Sequence, residues 1–414
     1  MIQRRQACLD FKMLENMVCL HVRIFFEKMI DKGCLRVAET KYNLVKRWIK
    51  SKILDGTFLP NQKIYSESEL MKQFNVSRHT VRLAIGELVN EGWLYREQGA
   101  GTFCAERLPA GQNEAVEGDQ KKIAIITTYI SDYIFPSIIR GAEAYLSNEG
   151  YQVSLFSTNN DYENEKRILE TILAQRFDGI IVEPTKSAAA NPNINYYLNL
   201  ESLEIPYIMI NAYYNELEPV SVLLDDEKGG FLQTEHLIQL GHKNIAGFFK
   251  TDDLQGTKRM KGYLKAHREY GVKINPQNIV TYTTAEKFTK PSEVFKTLLD
   301  TLPEKPTAIV CYNDELVMKL LDVVREKNMS VPDDISIVGY DDSFLAEISE
   351  VKLTTIKHPK SELGKAAAKL IVEMIQKGKS KKEKNNKVES LIFEPELIVR
   401  SSTKGLTDND QEKA

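Results

Sequence analysis

The chain predicts two folds in series: an α+β unit of three helices and a two-stranded hairpin, then a longer α/β region built on parallel sheets. Three observations predict this. Short apolar-periodic segments with capping signals occupy residues 40–92. A glycine-rich tip, Gln98-Gly-Ala-Gly101, lies between two short runs of strand-forming residues. From Lys122 onward, apolar runs alternate with helix-length stretches. A length of 414 residues also exceeds one hydrophobic core, so two or more domains are expected.

The bulk numbers bound the function. Hydrophobic content of 42% and charged content of 27% describe a globular protein. The net charge of -3 argues against nucleic-acid binding over the whole chain. Residues 39–108, however, carry 11 Lys and Arg against 8 Asp and Glu, so one basic module sits on an otherwise acidic chain. Five cysteines (Cys8, Cys19, Cys34, Cys104, Cys311) contain no CxxC pair and are odd in number. Free thiols in a reducing compartment are expected rather than a zinc cluster or disulfides. No apolar run approaches the ~20 residues that span a bilayer, and His21 and Arg23 interrupt the only signal-like run. The expectation is a cytoplasmic protein with no membrane partner.

Residues 1–38 hold three of the five cysteines and four of the ten methionines, with no helical or alternating period. They read as an extension outside the native protein, its start assigned too far upstream; the alternative is a regulatory segment. The pattern sharpens at Lys41. Leu44, Val45, Trp48, Ile49 and Ile53 recur at helical spacing over 42–54, and Gly56 ends that helix. Ser66-x-x-Glu69 is a capping box opening a second helix whose apolar face is Leu70, Met71 and Phe74. Ser77 caps a third helix to Asn90, with Val81, Ala84, Ile85, Leu88 and Val89 inward and Gly92 closing it. Trp93–Tyr95 and Thr102-Phe103 then flank the glycine-rich tip as a wing. The order is that of a winged helix-turn-helix over 39–108, followed by a polar linker over 109–121.

Beyond the linker, buried strands are expected at 123–128, 152–156, 179–182, 207–210, 222–224, 245–249, 308–311 and 335–338. Helices at 137–149, 229–240 and 315–327 fall among them. Such alternation builds parallel sheets, which bind ligands at the carboxyl ends of their strands. The run Ser380–Lys387 reads as a solvated loop, and 404–414 as a polar tail.

Two groups of residues could carry chemistry. Arg78 and Arg82 share one helix face, with His79 beside them. A helix N-terminus placed in a major groove lets Arg bond guanine O6 and N7. Glu67 could accept from a cytosine amine, or could simply favour its helix dipole. Gln98 and Gly99 would lie at the wing tip, and Lys41 and Lys63 could meet phosphates. In the long region, polar residues cluster just past strand ends: Tyr133, Glu183, Lys186, Asn211, Asp314 and Asp341, with Arg259 beyond the strand 245–249. Carboxylates and amides suit a polyol, whose hydroxyls both donate and accept. Each residue alone could equally be a turn former or loop cap. His236, His242 and His267 lack metal-ligand spacing, and no catalytic elbow or phosphate loop occurs, so no metal, cofactor or enzyme activity is expected.

Residues 40–104 resemble GntR-type winged helices through Ser66–Leu70, Val76–Arg82, Glu87-Leu88, Gly92 and Gly99–Thr102. Residues 122–403 resemble LacI/GalR-type effector domains, themselves similar to periplasmic sugar-binding proteins. The stretches that carry this are Asp225–Gly230, Leu240–Lys243, Arg259–Tyr263 and Val338–Asp342. The combination, with Ile130–Ile138, Val182–Ser187 and Ile348–Leu353, is similar to a family of arabinose-operon repressors. That resemblance implies a two-lobed sensor, a homodimer on double-stranded operator DNA, and release by L-arabinose. It places Lys41, Glu67, Arg78, His79, Arg82 and Gln98 at DNA contacts, and Arg259 and Asp341 at the effector. Ala100 stands where close relatives carry a third glycine. The remaining alternatives are a repressor answering another sugar or a nucleoside and, from other classes, a sugar-transport binding protein or a carbohydrate hydrolase.

Overall fold

The computed structural model describes residues 40–106, 121–175, 177–379 and 388–406. The extension 1–38, the body of the linker, the charge run 380–387 and the tail beyond 406 lie outside the described residues. The chain divides into two compact units on either side of the linker.

The smaller unit opens with α1 (Lys41–Leu54), α2 (Glu67–Phe74) and α3 (Arg78–Asn90). Val45, Ile49, Leu70, Val81, Ala84 and Leu88 are fully buried and form its core. Trp48 adds an aromatic cluster with Phe58, Tyr65 and Phe74. Leu44, grouped with the apolar face in the sequence, is 39% exposed and lies off the core. Ser66 caps α2 by accepting from the Glu69 N–H, while Glu69 accepts the Ser66 N–H at 2.7 Å, completing the capping box. Gly92, at φ 77°, ends α3 as Trp93 N–H bonds back to Leu88. Strands β1 (Leu94–Glu97) and β2 (Gly101–Cys104) pair antiparallel to make the wing.

The larger unit contains two six-stranded sheets. The first lobe's sheet runs β13-β7-β6-β5-β3-β4 and the second's runs β14-β12-β11-β10-β8-β9. The first-lobe strands are β3 (Lys122–Thr127), β4 (Gln152–Ser157), β5 (Gly179–Val182), β6 (Tyr207–Ile210), β7 (Ser221–Leu224) and β13 (Leu391–Phe393). Those of the second lobe are β8 (Ile245–Lys250), β9 (Ile279–Tyr282), β10 (Ala308–Cys311), β11 (Ser336–Asp341), β12 (Thr354–Lys357) and β14 (Glu396–Ile398). All pairings are parallel except β12 with β14.

Helices α4 (Phe135–Asn148), α5 (Tyr162–Gln175) and α6 (Ile194–Ser202) lie in the first lobe's run of chain. The second lobe's run holds α7 (Asp226–Gln239), α8 (Leu254–Glu269), α9 (Lys290–Thr301), α10 (Asp314–Glu326) and α11 (Phe344–Ile348). Helix α12 (Lys360–Lys379) returns to the first lobe and packs on α4. Gly141 permits that approach, since a Cβ there would meet the Ser361 carbonyl at 2.1 Å. The chain therefore crosses between lobes three times: after β7, after β12 and after β13.

Three sequence expectations change. The segment 152–156 forms an edge strand, β4, with Gln152 and Leu155 exposed and the rest half-buried, rather than a buried one. Strands β9, β12, β13 and β14 were not expected. They are three or four residues long, and each has polar or exposed positions that break the apolar run. The fold also continues past 403: Lys404 N–H bonds Ser336, and Leu406 N–H bonds the Leu240 carbonyl.

Candidate functional site

In the smaller unit, three of the residues expected at DNA contacts open its helices. Lys41 begins α1, Glu67 begins α2 and Arg78 begins α3. Arg78, His79 and Arg82 are exposed on α3. Glu67 lies beside both arginines, accepting from Arg78 Nε at 3.0 Å and standing 3.6 Å from Arg82 Nε. One carboxylate thus lies beside two guanidinium groups, which stand side by side on the exposed face of α3. Lys46 and Lys50, by contrast, pair with Glu91, and Lys46 also with Glu87. Gln98 and Gly99 are exposed at the wing turn. Gly99 and Gly101 take φ of 79° and 130°. Ala100 is not among the positive-φ residues, so alanine is accommodated between the two glycines without strain.

In the larger unit, the carboxyl ends of β3, β5, β8, β9, β10 and β11 converge on a cavity of about 590 Å³. Of the residues named from the sequence, Tyr133, Glu183, Arg259 and Asp341 line it. Tyr133 joins the lobes: its hydroxyl donates to the Tyr340 carbonyl at 3.1 Å and accepts the Asp314 N–H at 3.1 Å. Glu183 accepts from Thr128, at 3.0 Å from N–H and 2.5 Å from Oγ1, and from Asn211 Nδ2 at 3.0 Å. Burial raises its pKa, and the bonds from Thr128 and Asn211 oppose that rise.

Arg259 is 2% exposed. It donates to Asp226 at 2.8 Å and to the Tyr312 carbonyl at 2.6 Å, and its guanidinium lies 3.5 Å from the Tyr340 ring centroid. Asp341 Oδ1, 3.6 Å from Arg259, is buried and has no hydrogen-bond partner. A buried, unpartnered carboxylate oxygen on a cavity wall is an acceptor available to a ligand.

Three expected residues are not on the wall. Asn211 and Asp314 are buried behind it, Asn211 bonding Glu183 and Asp314 bonding Ser343 N–H at 2.8 Å and Thr355 Oγ1 at 2.8 Å. Lys186 turns its ammonium over the Tyr162 ring at 5.2 Å. Each side chain is claimed by another partner: Asn211 by Glu183, Lys186 by the Tyr162 ring, and Asp314, the first residue of α10, by Ser343 and Thr355.

The sequence reading missed Lys250, Asp253, Asn160, Thr284 and Tyr312, all on the wall. Asp253 accepts from Lys250 at 2.9 Å, Tyr312 at 2.7 Å and Gly256 N–H at 2.7 Å. Burial alone would raise the Asp253 pKa, but Lys250 and these bonds take it below the ordinary range. Lys250-Thr-Asp-Asp253 follows β8 directly, so the strand-end rule would have found it. Asn160 of the first lobe donates to Thr284 of the second at 2.7 Å.

A model of bacterial regulatory proteins of the gntR family matches residues 41–104, and one of a periplasmic binding protein-like domain matches 234–403. The chain is 62% identical over 365 residues to an arabinose metabolism transcriptional repressor of Halalkalibacterium halodurans, covering 88% of this chain and 97% of that protein. The protein of the same description from Geobacillus stearothermophilus is 52% identical, over 88% of this chain and 98% of its own length. The chain belongs to the family of arabinose metabolism transcriptional repressors. It is a DNA-binding regulator and not an enzyme.

Solved structures agree on the larger unit's fold. The regulator CcpA of Lactococcus lactis has a TM-score of 0.60 at 25% identity, covering 69% of this chain and 100% of its own. A LacI family regulator from Enterococcus faecium with bound ribose has a TM-score of 0.58 at 27% identity, over 69% and 100%. Among the described residues, no group of His, Cys, Asp or Glu could hold a metal, and no helix is long and apolar enough to cross a membrane.

Proposed function

We propose that the protein acts as a cytoplasmic homodimer whose two winged heads hold two half-sites of an operator, and that L-arabinose entering the interlobe cavity releases the DNA. The observation that carries the ligand class is the wall itself. Asp341 and Glu183 offer carboxylate acceptors from opposite lobes, and Arg259 and Lys250 offer donors between aromatic faces. A neutral polyol matches that set, since each hydroxyl both donates and accepts. The relatives' name supplies the sugar, and the ribose-bound neighbour supports a pentose in such a cleft.

On the DNA side, Arg78, His79 and Arg82 read base edges, Glu67 orients the two arginines and accepts from a base amine, and Lys41, Gln98 and Gly99 meet the backbone or minor groove. On the sensor side, Tyr133, Glu183, Arg259 and Asp341 touch the sugar, with Asn211 and Asp314 supporting them and Lys186 at the rim. Sugar stabilises one arrangement of the lobes, operator another, so each ligand weakens the other by the same factor. The test is an operator titration with and without L-arabinose, beside glucose, xylose and a nucleoside, with sedimentation to read the oligomer. Release by L-arabinose from a dimer is expected. Release by another ligand alone would overturn the sugar, and a monomer on DNA would overturn the assembly.

A further inference from the structure

The crossover from β12 into α12, His358-Pro359 and the first helical residue Lys360, touches the supports of both cavity walls. His358 is 4% exposed, and its Nε2 lies 3.2 Å from Asn211 Oδ1. Asn211 Nδ2 in turn donates to Glu183 Oε1 at 3.0 Å. An ionised Glu183 can only accept, which fixes the Asn211 amide with its oxygen toward His358. His358 must therefore donate from Nε2. Burial, with Lys360 nearby, lowers the His358 pKa to about 3, so the ring is neutral and this tautomer leaves Nδ1 without a proton. That Nδ1 is buried and has no partner, so the hydrogen bond to Asn211 is the ring's one polar anchor.

Two residues on, Lys360 Nζ donates to the carbonyls of Asp341 and Asp342, each at 2.8 Å. Those two residues hold φ of 94° and 45°, which the ammonium pins in place. One short crossover thus bonds the residue behind Glu183 in one lobe and the backbone beneath Asp341 in the other.

We infer that His358 and Lys360 are positioning residues that couple sugar contact at Glu183 and Asp341 to the angle between the lobes. A hydroxyl drawing on Glu183 or Asp341 shifts the groups to which the crossover is tied, and the crossover is one of the chain segments about which the lobes must turn. The inference rests on the effector reading proposed for the cavity.

The experiment uses the full chain with His358→Leu, His358→Gln and Lys360→Met. Calorimetry reads L-arabinose binding, and an operator titration at several sugar concentrations reads release. His358→Leu and Lys360→Met should hold operator as the wild type does without sugar and bind sugar within about three-fold. Both should need at least ten-fold more sugar for half-release. His358→Gln keeps an N–H donor toward Asn211 and should restore most of the response, which a merely space-filling role would not predict. Wild-type release midpoints in His358→Leu and Lys360→Met would overturn the coupling. If His358→Leu does not fold, Lys360→Met and His358→Gln decide in the same way. If the wild type gives no heat with L-arabinose, the effector reading fails and the coupling falls with it. Intact sugar binding with unaltered release fails the coupling alone.

Discussion

Arg259 Nε and Asp226 Oδ1 lie 2.8 Å apart with both side chains almost fully buried. The pair ties α8 to α7, and the same guanidinium faces the cavity beside Asp341. A residue expected from the sequence at the effector is thus also part of the second lobe's framework.

Arg259→Ala should therefore cost stability as well as sugar response. It strands Asp226 in a buried site, which costs about 3–5 kcal/mol. Asp341→Asn keeps the shape and the Arg259–Asp226 pair but removes the carboxylate charge beside Arg259, turning a charged acceptor into a neutral amide, and should cost about 1.5–3 kcal/mol of sugar binding. Urea unfolding separates the two: a large fall in midpoint for Arg259→Ala and little for Asp341→Asn. Equal unfolding midpoints would show that the ion pair carries no net stability.

Arg78→Ala and Arg82→Ala should each cost about 1–3 kcal/mol of specific operator binding, with sugar binding unchanged. Glu67→Gln removes the anion that screens both arginines, so affinity for random duplex should rise and discrimination shrink. Salt-matched gel shifts on operator and random DNA check both. Random-duplex affinity unchanged in Glu67→Gln would show that the carboxylate does not screen.

Asp314 is the acid whose pH dependence is clearest. Burial, then the charge of Asp341, lifts its pKa to about 7 from 3.8. The folded state binds the proton more tightly than the unfolded one. Stability contributed by Asp314 is therefore greatest at low pH and falls as pH rises from about 4 through about 7, with no further change above. Asp314→Asn should flatten that slope. The check is the difference in melting temperature between wild type and variant at pH 5, 6, 7 and 8, which should narrow or reverse toward high pH. A constant difference would refute the assignment.

Glu165 is fully buried and accepts from Tyr197 at 2.9 Å, Tyr214 at 2.6 Å, and Asn191 and Asn193 at 2.9 Å each. Glu165→Ala takes the acceptor from Tyr197 and Asn191, while Tyr214 keeps the Thr185 carbonyl and Asn193 the Tyr162 carbonyl, and should cost roughly 3 kcal/mol. Denaturant unfolding measures this; a loss under 1 kcal/mol would mean water replaces the carboxylate.

The winged head was legible nearly residue by residue, because caps, a glycine turn and a wing are local signals that Ser66, Glu69, Ser77 and Gly92 state outright. The strand-helix alternation was legible for the same reason. The cavity wall was only half legible. Tyr133 and Glu183 follow, and Asp341 ends, apolar runs, whereas Thr284 follows β9, where Thr281 breaks a run only four residues long. Whether a residue past a strand end faces the cavity depends on the partner that claims its side chain: Glu183 for Asn211, the Tyr162 ring for Lys186, and Ser343 and Thr355 for Asp314, none of them near in sequence. His358 gave no signal, since its partner Asn211 lies 147 positions earlier in the chain.

The position of β13 has a consequence for how the chain is made. Its partner β7 leaves the ribosome long before it, roughly ten to thirty seconds earlier at typical synthesis rates. Through that interval the first lobe lacks both its border strand and α12, so the edge of β7 and the apolar face of α4 stand open to other nascent chains. The second lobe is translated almost whole in the meantime. A premature stop anywhere before Leu391 should therefore yield no half-sensor, only a product destined for proteases, and slow codons between β12 and β13 should lower the yield of active protein more than slow codons elsewhere.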